Sequence, residues 1–206
     1  MGTVNPLVLD SATHSDSCVI WLHGLGADCY DFLSVAQQLQ TNLPSTRFIL
    51  PQAPTQTVTL NGGAAMPSWY DILTLNPASP SRTINQQQLE KSAASIAQLI
   101  QTQMQQGIAA KRIILAGFSQ GGAVALHTAF LHDATVIGGV LALSTYAPTF
   151  TPETPLHPNK RTISVYCLHG SLDEVVIPSM GRAAYSFLLE QQVNALWKEY
   201  PMQHSV

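Results

Sequence analysis

The chain has 206 residues and a net charge of −3, with 46% hydrophobic and only 10% charged residues, against about 25% charged in an ordinary domain. That length suits one domain with a sizeable core, and the charge leaves no basic face for nucleic acid and no polybasic run for anionic lipid. The longest apolar stretches are strand-length and exclude a transmembrane helix; no charged-then-apolar leader opens the chain. Cys18, Cys29 and Cys167 are scattered and odd in number, which suits free thiols in a reducing compartment, so a soluble cytoplasmic protein is expected.

In chain order, Cys18-Val19-Ile20-Trp21-Leu22 reads as a buried strand. Residues 31–40 read as a helix with Phe32, Val35, Ala36 and Leu39 on one face. Arg47-Phe48-Ile49-Leu50 is a second strand, stopped by Pro51. Residues 51–84 carry Pro and Gly without clear periodicity and read as a long functional loop. Residues 85–106 form the clearest helix: Leu89, Ala93, Ile96, Ala97, Ile100 and Met104 recur at helical spacing, and Gly107 suits its C-terminal end. Strands are predicted at 113–116, 138–144, 163–169 and 195–200, and helices at 121–131 and 181–192, with a Pro/Thr-rich loop over 145–160. Strand–helix alternation of this kind predicts a parallel sheet covered on both faces. With no internal repeat and no linker, residues 1–206 read as a single domain.

Gly117-Phe118-Ser119-Gln120-Gly121 fits the G-x-S-x-G nucleophile elbow, with an apolar strand before it and a small-residue helix after it. The turn holds the serine in a strained conformation above a helix N-terminus, where developing negative charge is stabilised. A neutral hydroxyl needs a base within hydrogen-bond reach, and that base needs a carboxylate to fix its tautomer. In α/β hydrolases the order is Ser, then Asp or Glu, then His, on loops after later strands. Asp173 follows the 163–169 strand and His204 follows the 195–200 strand. Glu174 is the adjacent rival carboxylate and Asp133 a distant one. Of the other histidines, His127 and His132 fall on or near the post-elbow helix, His14 and His157 in earlier loops, and His23 and His169 precede the acid.

Trp21-Leu22-His23-Gly24-Leu25-Gly26 directly follows the first buried strand. A Gly-rich loop there supplies one backbone N–H of an oxyanion hole, with Leu25 as the candidate donor; the residue after the nucleophile, Gln120, supplies the other. No His-x-x-x-His, clustered cysteines, acidic cluster, phosphate loop or G-x-G-x-x-G after a strand is present, so no metal or cofactor is expected.

On these residues, together with Pro51-Gln52-Ala53-Pro54, Met66-Pro67-Ser68-Trp69-Tyr70-Asp71 and Leu168-His169-Gly170, the chain resembles the phospholipase/carboxylesterase family, which contains the acyl-protein thioesterases. Leu141-Ala142-Leu143-Ser144-Thr145-Tyr146 makes it especially similar to the small bacterial carboxylesterases. The resemblance implies a compact α/β-hydrolase fold without a large cap domain. It implies hydrolysis of carboxylic esters, lysophospholipids or S-acyl thioesters by Ser119, His204 and Asp173. It places the acyl group against Met66, Trp69, Ile72 and Leu73, a stripe that would serve equally as core packing or as a homodimer patch. Two departures stand out. Gln203 occupies the place of a family glycine before the histidine, where a positive φ would strain it by about 1–3 kcal/mol. Family members also continue past the histidine into a helix that covers the sheet, whereas this sequence ends at Val206. A shortened chain, a natural deletion and a covering partner chain each fit. The rival reading, resting on these departures, is a catalytically weak acyl-binding protein of the same fold.

Overall fold

A computed structural model describes residues 6–12, 14–75 and 82–206. Its strands, in chain order, are β1 (Leu7–Leu9), β2 (Ser17–Leu22), β3 (Thr46–Leu50), β4 (Thr55–Val58), β5 (Ala64–Pro67), β6 (Ile72–Leu75), β7 (Arg82–Ile84), β8 (Ile113–Phe118), β9 (Gly139–Leu143), β10 (Ser164–Gly170) and β11 (Ala195–Tyr200). The helices are α1 (Leu33–Asn42), α2 (Gln86–Gln105), α3 (Gln120–His127) and α4 (Pro178–Glu190). A seven-stranded sheet runs β1-β3-β2-β8-β9-β10-β11. Every pairing in it is parallel except that of β1 with β3.

The continuous apolar strands follow from burial on two faces. Along β2, Cys18, Ile20 and Leu22 point into one core with Leu115, Val140 and Ala142, while Trp21 joins Phe48, Leu50 and Ala116 in the other. The first core is covered by α2, α3 and α4. Leu89, Ile96 and Ile100 of α2 are fully buried there, each worth roughly 1.5–3 kcal/mol. Asn85 caps α2, its side-chain oxygen accepting from Gln88 N at 3.1 Å.

The second face is thinner. Among the described residues α1 is the one helix on it, beginning after Phe32, which stacks on Trp21 with ring centroids 4.8 Å apart. Of the face expected for this helix, Phe32 and Ala36 are buried, while Val35 and Leu39 are exposed. Beside α1 an apolar groove of about 340 Å³ stays open, lined by Trp21, Val35, Leu141, Leu143, Leu168 and Tyr200 and flanked by Met202 and Val206. No helix among the described residues is long and apolar enough to cross a membrane.

Residues 51–84 differ from the expected irregular loop. They hold two antiparallel ribbons, β4 with β5 and β6 with β7; residues 76–81 of that stretch lie outside the described residues. The strands escape a periodicity reading because Thr55-Gln56-Thr57-Val58 and Ala64-Ala65-Met66-Pro67 are short and mostly polar or small. The post-elbow helix also departs from expectation. After His127 it continues as a π-helical turn, Thr128–His132, closed by Asp133 N donating to Thr128 O at 2.9 Å.

Candidate active site

Parallel strands deliver their C-terminal ends to one edge of the sheet, where α/β proteins gather their sites. Here β2 leads into residues 23–27, β8 into Ser119, β9 into Ser144, β10 into Asp173 and β11 into His204.

Ser119 occupies the turn between β8 and α3 with φ 52° and ψ −119°, a strained conformation for a residue with a Cβ. Close packing enforces the turn. A Cβ at Gly117 would sit 2.4 Å from Gly121 O, and one at Gly121 would sit 2.5 Å from His23 O. Thr145, just after β9, holds the elbow, its hydroxyl donating to Ser119 O at 2.6 Å.

His204 Nε2 lies 3.0 Å from Ser119 Oγ, and its Nδ1 lies 2.7 Å from Asp173 Oδ2. The other Asp173 oxygen accepts from Val175 N at 2.9 Å and Val176 N at 2.8 Å. The carboxylate is buried, fixed at both oxygens and aimed at the imidazole, which also packs on Phe118 with centroids 4.6 Å apart. The structure thus brings Ser119, His204 and Asp173 into one hydrogen-bonded chain. The rival Glu174 is exposed at the mouth of the site and His204 pairs with its neighbour instead. His169 is a supporting residue: its Nε2 donates to Val176 O at 2.7 Å, bracing the loop that carries the acid.

Gln203 has no positive φ, so the strain expected at this position does not arise. The tight approach is supplied from the opposite side. A Cβ at Gly170 would lie 2.3 Å from Gln203 O and 2.4 Å from Met202 O. A glycine on β10 therefore gives the histidine loop its room. Leu172 N donates to Met202 O at 3.0 Å, and Ser144 Oγ donates to Ser205 O at 2.9 Å.

Leu25 and Gln120, the expected oxyanion donors, both border the cavity that contains Ser119 and His204. Their loops are interlocked by side-chain bonds that the sequence does not signal. The Gln120 side chain accepts from Trp69 N at 2.8 Å and donates to Tyr70 O at 2.7 Å. Trp69 Nε1 donates to His23 O at 2.9 Å. His23 Nδ1 donates to Gly24 O at 2.7 Å while its Nε2 accepts from Ala53 N at 3.1 Å. That pattern uses the neutral ring, and burial holds the His23 pKa below its ordinary value.

The cavity measures about 360 Å³ and is bordered by Leu25, Leu60, Ile72, Phe118, Arg82 and Val175. Of the apolar wall expected from sequence, Ile72 lines it. Trp69 does not, because it is 3% exposed and engaged beneath the oxyanion loop. Met66 approaches Gly26, Leu73 is exposed, and neither borders the cavity. Arg82 went unread in the sequence. It lies over the Tyr146 ring at 4.6 Å and donates to Val175 O, tying β7 to the acid loop. Cys18 and Cys167 take no part: burial pushes each thiol up to about 12.

Comparison with known proteins agrees with this architecture. The Phospholipase/Carboxylesterase family pattern matches residues 4–206. Acyl-protein thioesterase 1 homolog 1 of Dictyostelium discoideum is 39% identical over 184 residues, covering 88% of this chain and 79% of its own. Acyl-protein thioesterase 1 of Cryptococcus neoformans is 38% identical over 174 residues, covering 84% and 73%. Among solved structures, Arabidopsis thaliana SOBER1 superposes with a TM-score of 0.83 at 28% identity, covering 92% of this chain and 91% of that one. A match of this extent, on a fold whose strand ends gather the elbow and its partners, makes the chain a hydrolase of the phospholipase/carboxylesterase family.

Proposed function

We propose that the protein is a serine carboxylesterase or thioesterase that works through an acyl-enzyme on Ser119. The observation that carries the reading is the chain Asp173–His204–Ser119 opening onto a largely apolar cavity. His204 Nε2 takes the hydroxyl proton as Ser119 Oγ forms a bond to the acyl carbon. Leu25 and Gln120 N–H groups hold the oxyanion. The carbonyl re-forms, the alcohol or thiol leaves with the proton from His204, and water activated by the same ring releases the acid. Asp173 keeps Nδ1 protonated and stabilises the cationic ring.

The substrate class is an acyl ester or S-acyl thioester, with lysophospholipids as a further class. The relatives named acyl-protein thioesterase favour the thioester. Ile72, Leu60 and Val175 form the apolar side of the cavity. No cofactor enters these steps. The three buried thiols suit a cytoplasmic setting, and the protein acts on its substrate as a single chain or as a homodimer.

Hydrolysis of p-nitrophenyl esters of increasing chain length, beside an S-acyl thioester followed by thiol release, tests the proposal. The expected result is turnover of both classes that disappears in Ser119→Ala. Turnover retained in a clean Ser119→Ala preparation, or none from folded wild type, overturns it.

A further inference from the structure

A second cluster of chemistry-bearing side chains lies at the far end of the helix that starts at Ser119. Glu90 comes from the first turns of α2, His127 from the last residue of α3, and His132 from the end of the π-helical turn. Their ligand atoms, a carboxylate oxygen and one nitrogen from each ring, all lie within 4.8 Å of one another. His127 Nε2 is 3.0 Å from Glu90 Oε1, and His132 Nδ1 is 2.9 Å from Glu90 Oε2.

The π turn makes this possible. Residues five apart on an ordinary α-helix point about 140° away from each other. The i→i+5 bonding of a π turn brings such residues back to one side, and such turns are frequent at functional sites. This is why the spacing His127-x-x-x-x-His132 escaped a search for histidines four apart.

Two further observations set the cluster apart from an ordinary ion pair. His127 is 3% exposed, yet its Nε2 makes no well-aligned hydrogen bond among the described residues despite facing Glu90. Its other nitrogen lies 2.9 Å from Thr149 Oγ1. In the tautomer that donates to Thr149, Nε2 carries no proton and its lone pair is available to a ligand. An outer hydrogen bond that fixes the ring and its tautomer is the usual support of a metal-bound histidine.

We propose that Glu90, His127 and His132 form a binding site for a divalent transition-metal ion, zinc first, that clamps α2 to the end of α3. Two imidazoles and a carboxylate are a donor set for zinc, at about 2.0–2.2 Å from each ligand, with water at the remaining position. Donors around an ion of that size stand about 3.3–3.5 Å apart in a tetrahedron, so an ion would draw in ligand atoms that already lie within 4.8 Å of one another. The side chains of Glu90 and His132 are both partly exposed, at 43% and 27%, and provide the route in. The ion is structural: it lies outside the Ser119 cavity, whose lining includes none of the three residues.

The test is equilibrium dialysis of the full chain against Zn²⁺ with metal counted by mass spectrometry, beside a Co²⁺ titration followed by its visible absorption. The wild type should take up one equivalent saturably and gain thermal stability with Zn²⁺. His132→Ala and Glu90→Gln, both at accessible positions, should each weaken binding by about tenfold or more and lose the thermal gain, while ester turnover without metal stays at the wild-type level. His157→Ala, an exposed histidine outside the cluster, should bind as wild type does. No saturable uptake by the wild type, or undiminished uptake by both cluster variants, overturns the proposal and leaves a metal-free His–Glu–His clamp.

Discussion

The two sides of the candidate active site are held in different ways. On the nucleophile side, Gln120, Trp69, His23 and Thr145 knit the elbow to the oxyanion loop through buried side-chain bonds. On the histidine side, residues 201–206 hang from β11 by Leu172 N to Met202 O and Ser144 Oγ to Ser205 O, beside an open apolar groove. The contrast fits the two tasks. Oxyanion donors stabilise the transition state only if they are already in place, so their loops are cross-linked. The base must pass a proton from Ser119 to a leaving group, and it is guided by one strong partner, Asp173, more than by its own loop.

The comparison breaks first where the two sides meet. His204→Ala should lower kcat by about 10⁶-fold and Asp173→Ala by about 10⁴-fold, with the fold intact by circular dichroism. Comparable losses from both would mean that His204 supplies no catalysis without Asp173.

Gly170→Ala sharpens the histidine side alone. The new methyl meets Gln203 O and Met202 O, and a displacement of His204 of order 1 Å should cost about 10²-fold in kcat. Steady-state kinetics should show that loss with labelling of Ser119 slowed in parallel. An unchanged rate would mean the histidine loop has slack that the packing does not suggest.

Ser144→Ala is gentler. It removes the hydroxyl that ties Ser205 to β9, and a hydrogen bond of about 1 kcal/mol corresponds to a loss of about fivefold in kcat/KM.

The last and smallest effect is read in stability, at His23. Its pKa in the folded protein lies below the ordinary 6.5 because of burial, so the unfolded chain takes up the proton first. Stability is therefore full above about pH 6.5 and falls as pH drops from there toward the folded value. Thermal midpoints between pH 8 and 5 should decline, and His23→Gln should flatten part of that slope; His127, also lowered by burial, retains the rest.

How much of this was legible in the sequence depended on whether a feature is local. The strand Ile113–Phe118 running into Gly-Phe-Ser-Gln-Gly carries its own context, and the Ser, Asp, His order with loops after strands picks out Asp173 and His204. Helix α2 was readable from its stripe and from Gly107 at its end. Tertiary roles were not. Nothing near Gly170 says that it makes room for Gln203, and nothing near Gln120 says that its side chain grips Trp69 and Tyr70. Met66, Trp69 and Leu73 show the same limit from the other side, since apolar residue types fill a cavity wall and a packed core alike. The strand Leu7–Leu9 is too short to signal itself, and the ribbons of 55–67 are too polar.

The central claim is that Ser119 is activated by His204 and Asp173, not merely accessible. Covalent labelling by a fluorophosphonate, mapped by mass spectrometry and timed in wild type and His204→Ala, tests it most directly. The account predicts a single adduct on Ser119 in the wild type and a rate lower by several orders of magnitude in His204→Ala. Labelling of Ser119 at the wild-type rate in folded His204→Ala would contradict it.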